Sequence, residues 1–106
     1  ALYHTHHGTT NAVCMPAVLQ FNRPRIEGVF EQAARYLGIE GGFDGFADYV
    51  DGLNASLGIP RTLTAMGVEN PDVDRIVKGA MQDPSTAGNP VEMTAENTRE
   101  LLLAIL

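Results

Sequence analysis

The apolar residues of this chain recur at helical rather than strand spacing. From 9 to 21 they occupy nearly all sides of a helix, which predicts a central helix surrounded by protein. Pro16 within this run is expected to remove one backbone hydrogen bond and to kink or break the helix. A second helix is predicted after Pro24, near its first turn. Its apolar face recurs every three or four residues and comprises Ile26, Val29, Phe30, Ala33, Ala34 and Leu37.

Three similar tripeptides predict the ends of helical segments. They are Leu37-Gly38-Ile39, Leu57-Gly58-Ile59 and Met66-Gly67-Val68. In each, the glycine can adopt the left-handed conformation of a C-terminal cap, and the apolar residue after it can pack back on the last turn. The surrounding helices do not otherwise match, so we interpret the tripeptides as convergent stop signals rather than as an internal repeat.

The helix between the first two stops has one apolar face and a face that carries Asp44, Asp48 and Asp51. The aspartates are spread along the helix and no histidine is near them in sequence. We therefore interpret them as a solvated helix face rather than a metal cluster.

The second half of the chain predicts two more helices and a short turn of helix over 61–66. Asn70 and Pro71 are expected to be the N-cap and first residue of one helix, and Pro84 is expected to end it. Thr94 is expected to cap the last. No segment alternates as a strand would, so the predicted fold is all-α, a helical bundle of about five helices.

Composition limits the classes of function. The 106 residues form one helical domain (1–106), too small for a cofactor domain plus a substrate domain. The 13 carboxylates outnumber the 7 Lys and Arg residues, which argues against nucleic acid as a partner. No apolar run has transmembrane length, so no membrane partner is expected. Cys14 is the only cysteine and cannot form an intramolecular disulfide, which fits a cytoplasmic setting.

All three histidines, His4, His6 and His7, lie within four positions. They could form a metal site, a proton-transfer site or an exposed polar leader, and on chemistry alone the leader is favoured. A helix that starts after Gly8 would point its positive end at His7 and keep the imidazole neutral, as a metal requires. One imidazole cannot hold a catalytic metal, because such sites usually take three or more protein ligands.

The pattern His7-Gly8-x-x-Asn11-Ala12-x-x-x-Pro16, followed by Asn22, resembles the signature of the iron-containing alcohol dehydrogenase family. The resemblance continues through Tyr36-Leu37-Gly38, Leu57-Gly58-Ile59-Pro60 and Gly88-Asn89-Pro90, and so covers essentially the whole chain. It is a resemblance to the C-terminal portion of the family's all-helical domain.

The resemblance implies a metal site between two domains. In the family, an N-terminal α/β domain binds NAD or NADP, and Fe2+, sometimes Zn2+, sits in the cleft beside the helical domain. An aspartate and three histidines hold the metal, and His7 matches the last histidine. The other ligands would lie before Ala1, whereas His4 and His6 match no ligand position. The resemblance assigns no catalytic and no cofactor-binding side chain to this chain.

Other residues are assigned by the resemblance or by their surroundings. The loop around Ser85 and Thr86 resembles the family segment that approaches the substrate cleft, which would make both residues part of the pocket wall. The alternative is a helix connection in which they satisfy local backbone groups. Asn11 is expected to fix the helix start rather than to touch substrate. Cys14 and Met15 are expected to be core residues rather than soft metal ligands.

The resemblance therefore implies part of an iron-dependent oxidoreductase that interconverts a small alcohol and its aldehyde or ketone with NAD(P). The chain lacks an initial methionine and ends in an apolar helical pattern, which suggests a piece of a longer two-domain enzyme that would be inactive alone. Its partners would be the substrate and the missing nucleotide-binding domain, and a homo-oligomer is left open. The alternative is a non-catalytic helical interaction or metal-binding module. A severed domain should expose an apolar face, whereas a module should not.

Overall fold

The computed structural model describes Tyr3 and residues 5–106. These residues form only helices and irregular segments, which confirms the predicted all-α class. The elements are α1 (His7–Leu37), α2 (Gly42–Ser56), α3 (Val73–Gln82), a 3₁₀ helix (Pro84–Gly88) and α4 (Ala95–Ala104). None of the described helices is both long and apolar enough to span a bilayer.

The first two predicted helices are a single helix. The prediction of a second helix after Pro24 is wrong, and Pro16 does not break the helix, because α1 runs through both prolines. Pro16 has no N–H to donate to the carbonyl of Ala12, four residues earlier. The Asn54 side-chain amide, on α2, donates to that carbonyl at 2.9 Å. A side chain from the neighbouring helix thus replaces the missing backbone donor.

Two separate cores lie along α1. The first joins its N-terminal half to the turn before α3, to α3 and to α4, and consists of Val13, Leu63, Val68, Val77, Leu102 and Ile105. The second joins its middle to α2 and consists of Leu19, Phe43, Ala47 and Val50. Because each core needs a different part of α1, the continuity of this helix fixes the position of α2 relative to α3 and α4.

Arg23 closes the edge of the α1–α2 core. Its guanidinium donates to Glu27 at 3.1 Å and to both carboxylate oxygens of Asp44 at 2.8 and 3.2 Å. It also lies over the Phe43 ring, 4.7 Å from the centroid, where a cation is attracted to the ring face. The hydrogen bonds to Glu27 and Asp44 raise the pKa of Arg23.

The three stop signals are confirmed. In each, the amide of the residue after the glycine donates to the carbonyl five residues earlier, at 2.8, 2.9 and 3.0 Å. This is the 6→1 bond of a Schellman motif. The left-handed glycines are Gly38, Gly58 and Gly67. The aspartates of α2 are all exposed, which confirms the predicted solvated face.

The start of α3 differs from the prediction. The N-cap is Asp72, whose carboxylate accepts from the Arg75 amide at 3.1 Å. The predicted cap, Asn70, instead has a left-handed backbone (φ 47°), so the helix begins after Pro71 rather than at it. The amide of Asp72 donates to the Tyr3 hydroxyl at 2.8 Å, which attaches the N-terminal segment to this helix end.

The remaining boundaries follow the sequence. α3 ends at Gln82, before Pro84, and Thr94 caps α4 in a capping box with Asn97. The segment 61–66 forms hydrogen-bonded turns rather than a helix of its own. Its Leu63 amide donates to the Ile105 carbonyl at 2.7 Å, so this turn is tied to the end of the chain.

We predict that Asn54→Ala lowers the free energy of unfolding by about 1–3 kcal/mol, because the Ala12 carbonyl loses its donor. In a Pro16→Ala background the loss should be smaller, since an alanine amide at position 16 can bond to that carbonyl. Urea unfolding of the two single variants and the double variant measures the coupling. Equal losses in both backgrounds would contradict the compensating role of Asn54.

We also predict opposite effects for two glycines of α2. A side chain at Gly45 would overlap the Glu40 carbonyl, so Gly45→Ala should destabilise the protein by about 1–3 kcal/mol. At Gly52 nothing lies within 4 Å, and Gly52→Ala should stabilise by about 0.5–1 kcal/mol through helix propensity. Thermal and urea unfolding compare them, and a tolerated Gly45→Ala would contradict the close approach.

Candidate functional site

The histidine-rich segment leads into the first turn of α1. His6 is the N-cap, and its Nδ1 accepts a hydrogen bond from the Thr9 amide at 3.2 Å. A side chain at Gly8 would come within 3.3 Å of the His6 ring, so glycine leaves room for this cap. Thr10 donates its hydroxyl to the His6 carbonyl at 2.9 Å. His6 thus has a capping role, and His4 lies outside the described residues.

His7 is the first residue of α1 and is exposed. Its Nε2 lies 3.4 Å from the side-chain nitrogen of Asn11. This contact lies in the first turn, where Asn11 was expected to fix the helix start, while His6 supplies the N-cap. The ring is exposed, so a metal ion can reach its nitrogens.

His7 can be one ligand of a metal site but not a complete site. Within the described residues, no three His, Cys, Asp or Glu side chains are grouped closely enough to hold a metal ion. A catalytic metal usually takes three or more protein ligands. His7 therefore fits a site to which other ligands are added.

One side of α1 connects His7 to the middle of the helix. At 3.6 residues per turn, five residues fall within an arc of about 80°: His7, Asn11, Met15, Val18 and Asn22. We call this surface the His7 face. Its first two residues are exposed, Met15 is 40% exposed and Val18 is half-buried. Asn22, at its far end, is buried.

Asn22 is buried because the loop 83–93 covers it. Its side-chain amide donates to Asn89 Oδ1 at 2.8 Å and its Oδ1 accepts from Asn89 Nδ2 at 2.7 Å. Asn89 Nδ2 also contacts the Val91 carbonyl at 2.8 Å and the Met93 sulfur at 3.2 Å. This reciprocal amide pair brings the loop 83–93 to the same side of α1 as His7.

The two predicted pocket residues lie in the 3₁₀ helix of this loop. The Thr86 hydroxyl donates to the Ala80 carbonyl at 2.5 Å, and Thr86 lines a pocket of about 330 Å³ with Asn89 and others. The Ser85 side chain and then its amide, which donates at 2.8 Å, hydrogen-bond to the Asp83 carboxylate and lower the pKa of Asp83. Ser85 is exposed and does not line this pocket. Thr86 thus has a local backbone role, while contact with substrate remains a prediction for both residues.

Sequence reasoning assigned no role to the Asn22–Asn89 pair or to Asn54. Asn22 and Asn89 are separated by 67 positions, and no local sequence pattern predicts that they pair. Asn54 had a weak signal, since it is an amide on the apolar side of α2. Pro16 was the matching signal, because a proline inside a helix leaves one carbonyl to which a side chain from another element can bond.

The prediction that Cys14 and Met15 are core residues is half right. Cys14 is half-buried and packs against the first core, and its burial raises the pKa of the thiol. Met15 is 40% exposed on the His7 face. It belongs to the surface that connects His7 to the loop 83–93 rather than to the core.

The sequence places the chain in a known class of enzyme. Residues 1–106 match the model of the Fe-containing alcohol dehydrogenase family, C-terminal. The chain therefore belongs to the iron-containing alcohol dehydrogenase family.

Three relatives illustrate the similarity. The chain is 32% identical to lactaldehyde reductase of Escherichia coli strain K12, over 95% of the chain and 28% of that protein. It is 37% identical to 4-hydroxybutyrate dehydrogenase of Cupriavidus necator, over 92% and 26%. It is 29% identical to NAD-dependent methanol dehydrogenase of Bacillus methanolicus, over 95% and 28%. The chain thus spans little more than a quarter of the length of these curated relatives.

A thiol with a raised pKa should react slowly. We predict that iodoacetamide modifies Cys14 more slowly than free cysteine at pH 8, because less of the thiol is ionised, and that the rate still rises at higher pH. Added Fe2+ or Zn2+ should leave the rate unchanged. Protection of Cys14 by either metal would contradict its assignment to the core and make it a ligand.

Proposed function

We propose that this chain is the C-terminal helical part of an NAD(P)-dependent, metal-containing alcohol dehydrogenase. The family match over the whole chain supports this proposal, as does the small share of each relative that the chain spans. In this proposal, the preceding polypeptide forms the nucleotide-binding domain and carries the other metal ligands. The chain alone is then inactive.

We propose that His7 is the chain's metal ligand. The observation that carries this assignment is an exposed imidazole held at the first turn of a helix, beside Asn11 rather than beside an acidic partner. Once loaded, the site's divalent metal, Fe2+ or Zn2+, supplies a Lewis acid for the alcohol oxygen, and NAD(P) exchanges the hydride. His7 itself binds and orients. It moves no proton.

His7 can offer its nitrogen without disturbing the fold. The side-chain nitrogen of Asn11 lies near His7 Nε2, but at 3.4 Å this contact is long, and both side chains are exposed. The helix start does not depend on His7, because His6 supplies the cap. The His7 ring is therefore free to bind a metal ion whose other ligands come from another domain.

We propose that the His7 face is one wall of the substrate cleft. The exposed Met15 gives this wall an apolar surface, which suits the carbon chain of a small alcohol. The loop 83–93 stands at its far end and carries Ser85 and Thr86 as pocket-wall residues. This chain thus contributes one metal ligand and part of the cleft.

The names of the relatives indicate the class of substrate. They include a lactaldehyde reductase, a 4-hydroxybutyrate dehydrogenase and a methanol dehydrogenase. We propose a small alcohol and its aldehyde or ketone as the substrate pair. The relatives include an NAD-dependent methanol dehydrogenase and an NADPH-dependent butanol dehydrogenase of Clostridium saccharobutylicum, so either cofactor is compatible with the proposal. A homo-oligomer is compatible with it as well.

We predict that His7→Ala, in the complete protein that contains this chain, lowers metal affinity by at least about 100-fold. A loss of about 100-fold is the upper limit for a residue that only supports a metal ligand, so a larger loss indicates a ligand. NAD(P)-linked alcohol oxidation should fall with it. Metal content after dialysis, measured by mass spectrometry, and turnover by NAD(P)H absorbance test this.

The matched control is His6→Asn, which keeps an N-capping side chain and removes the neighbouring imidazole. It should retain metal and activity. Equal metal loss in both variants would contradict a specific role for His7. A complete protein that binds metal but oxidises no alcohol would instead favour the alternative, a metal-binding module.

A further inference from the structure

The Asn22–Asn89 pair is more than a general packing contact. Asn22 is only 5% exposed, and both its side-chain oxygen and its nitrogen bond to Asn89. An amide buried this deeply is stable only while its partner stays in place, because an unmade hydrogen bond costs the full desolvation of the group. The pair therefore defines one position of Asn89 against α1.

The loop 83–93 has little else to hold it on α1. None of its residues belongs to either core. In the described part of the chain, its only hydrogen bonds to α1 are those between Asn22 and Asn89. Its other anchors lie at its two ends: Thr86 bonds to Ala80 on α3, and Asn97 on α4 donates to the Glu92 carbonyl at 2.9 Å.

The anchor and the metal ligand lie on one rigid element. His7 and Asn22 are fifteen positions apart on α1, which corresponds to about 22 Å along the axis and about 60° around it. They therefore share the His7 face. The helix between them is continuous, so the distance from His7 to the loop anchor is fixed by the helix itself.

We propose that Asn22 is a positioning residue. Through Asn89 it holds the loop 83–93 against α1 at the far end of the His7 face, and so positions Ser85 and Thr86 as the outer part of the pocket wall. This inference rests on the proposed function. Asn22 touches neither substrate nor metal and acts only through Asn89.

The test compares Asn22→Ala and Asn89→Ala with Asn54→Ala in the complete protein. Asn54 is the matched control, because its amide also bonds to α1 from another element but does not contact the loop. Two quantities are measured: hydrogen-exchange protection of residues 83–93, and kcat/KM for the alcohol beside KM for NAD(P).

For Asn22→Ala and Asn89→Ala we expect lower protection of the loop and kcat/KM for the alcohol reduced by about 10- to 100-fold, as expected for lost positioning. KM for NAD(P) should stay unchanged. The double variant should resemble either single variant, because the two residues act as a unit. Asn54→Ala should change neither quantity, although it lowers stability.

Two results would overturn the inference. Equal loss of kcat/KM in all three variants would mean that Asn22 serves only general stability. A loosened loop with unchanged kcat/KM would mean that the loop does not contact substrate. If the unmodified complete protein oxidised no alcohol, the proposed function itself would fail, and hydrogen exchange would still show whether Asn22 holds the loop.

Discussion

The structure depends on the continuity of α1, which runs through Pro16 and Pro24 and contributes to both cores. Pro16 leaves the Ala12 carbonyl without its backbone donor, and the Asn54 amide supplies the replacement from α2. This bond ties α2 to the N-terminal half of α1, beyond the reach of their shared apolar core.

The continuity of α1 also organises the candidate site. One end of the helix presents His7, and the middle anchors the loop 83–93 through Asn22. A break at Pro16 would separate these two features into independent bodies. The long helix thus relates the position of the proposed metal ligand to the position of the proposed pocket wall without a direct contact between them. The apolar but exposed Met15 lies between them, on the surface that we assign to the cleft.

Local signals in the sequence predicted much of the fold. The three glycine stops, the Thr94 cap and the solvated aspartates of α2 depend on neighbours within a few residues, and the structure confirms them. The misjudged features depend on distant partners. The carbonyl that Pro16 leaves without a backbone donor accepts a hydrogen bond from Asn54, which is 42 positions away from Ala12. A local rule for proline cannot include that donor.

In the candidate site, too, individual residues could be predicted from the sequence, but contacts between distant residues could not. The resemblance singled out His7, Asn22 and Asn89, but only the structure shows that the two asparagines pair and that His7 shares their side of α1.

The start of α3 was misplaced because Asn70 and Asp72 are both good caps, and the Asp72 amide donates to the Tyr3 hydroxyl from the N-terminal segment. Contacts over such separations carry no periodic signal.

The proposed function depends above all on α1 presenting His7 to a divalent metal in a complete dehydrogenase. A crystal structure of the metal-loaded complete protein, with the metal located by anomalous scattering, is the measurement that tests this assignment. We expect a metal about 2 Å from a ring nitrogen of His7, the length of a metal–imidazole bond, on the side of α1 that the loop 83–93 covers. A metal held wholly by other residues, with His7 out of bonding distance, would contradict it.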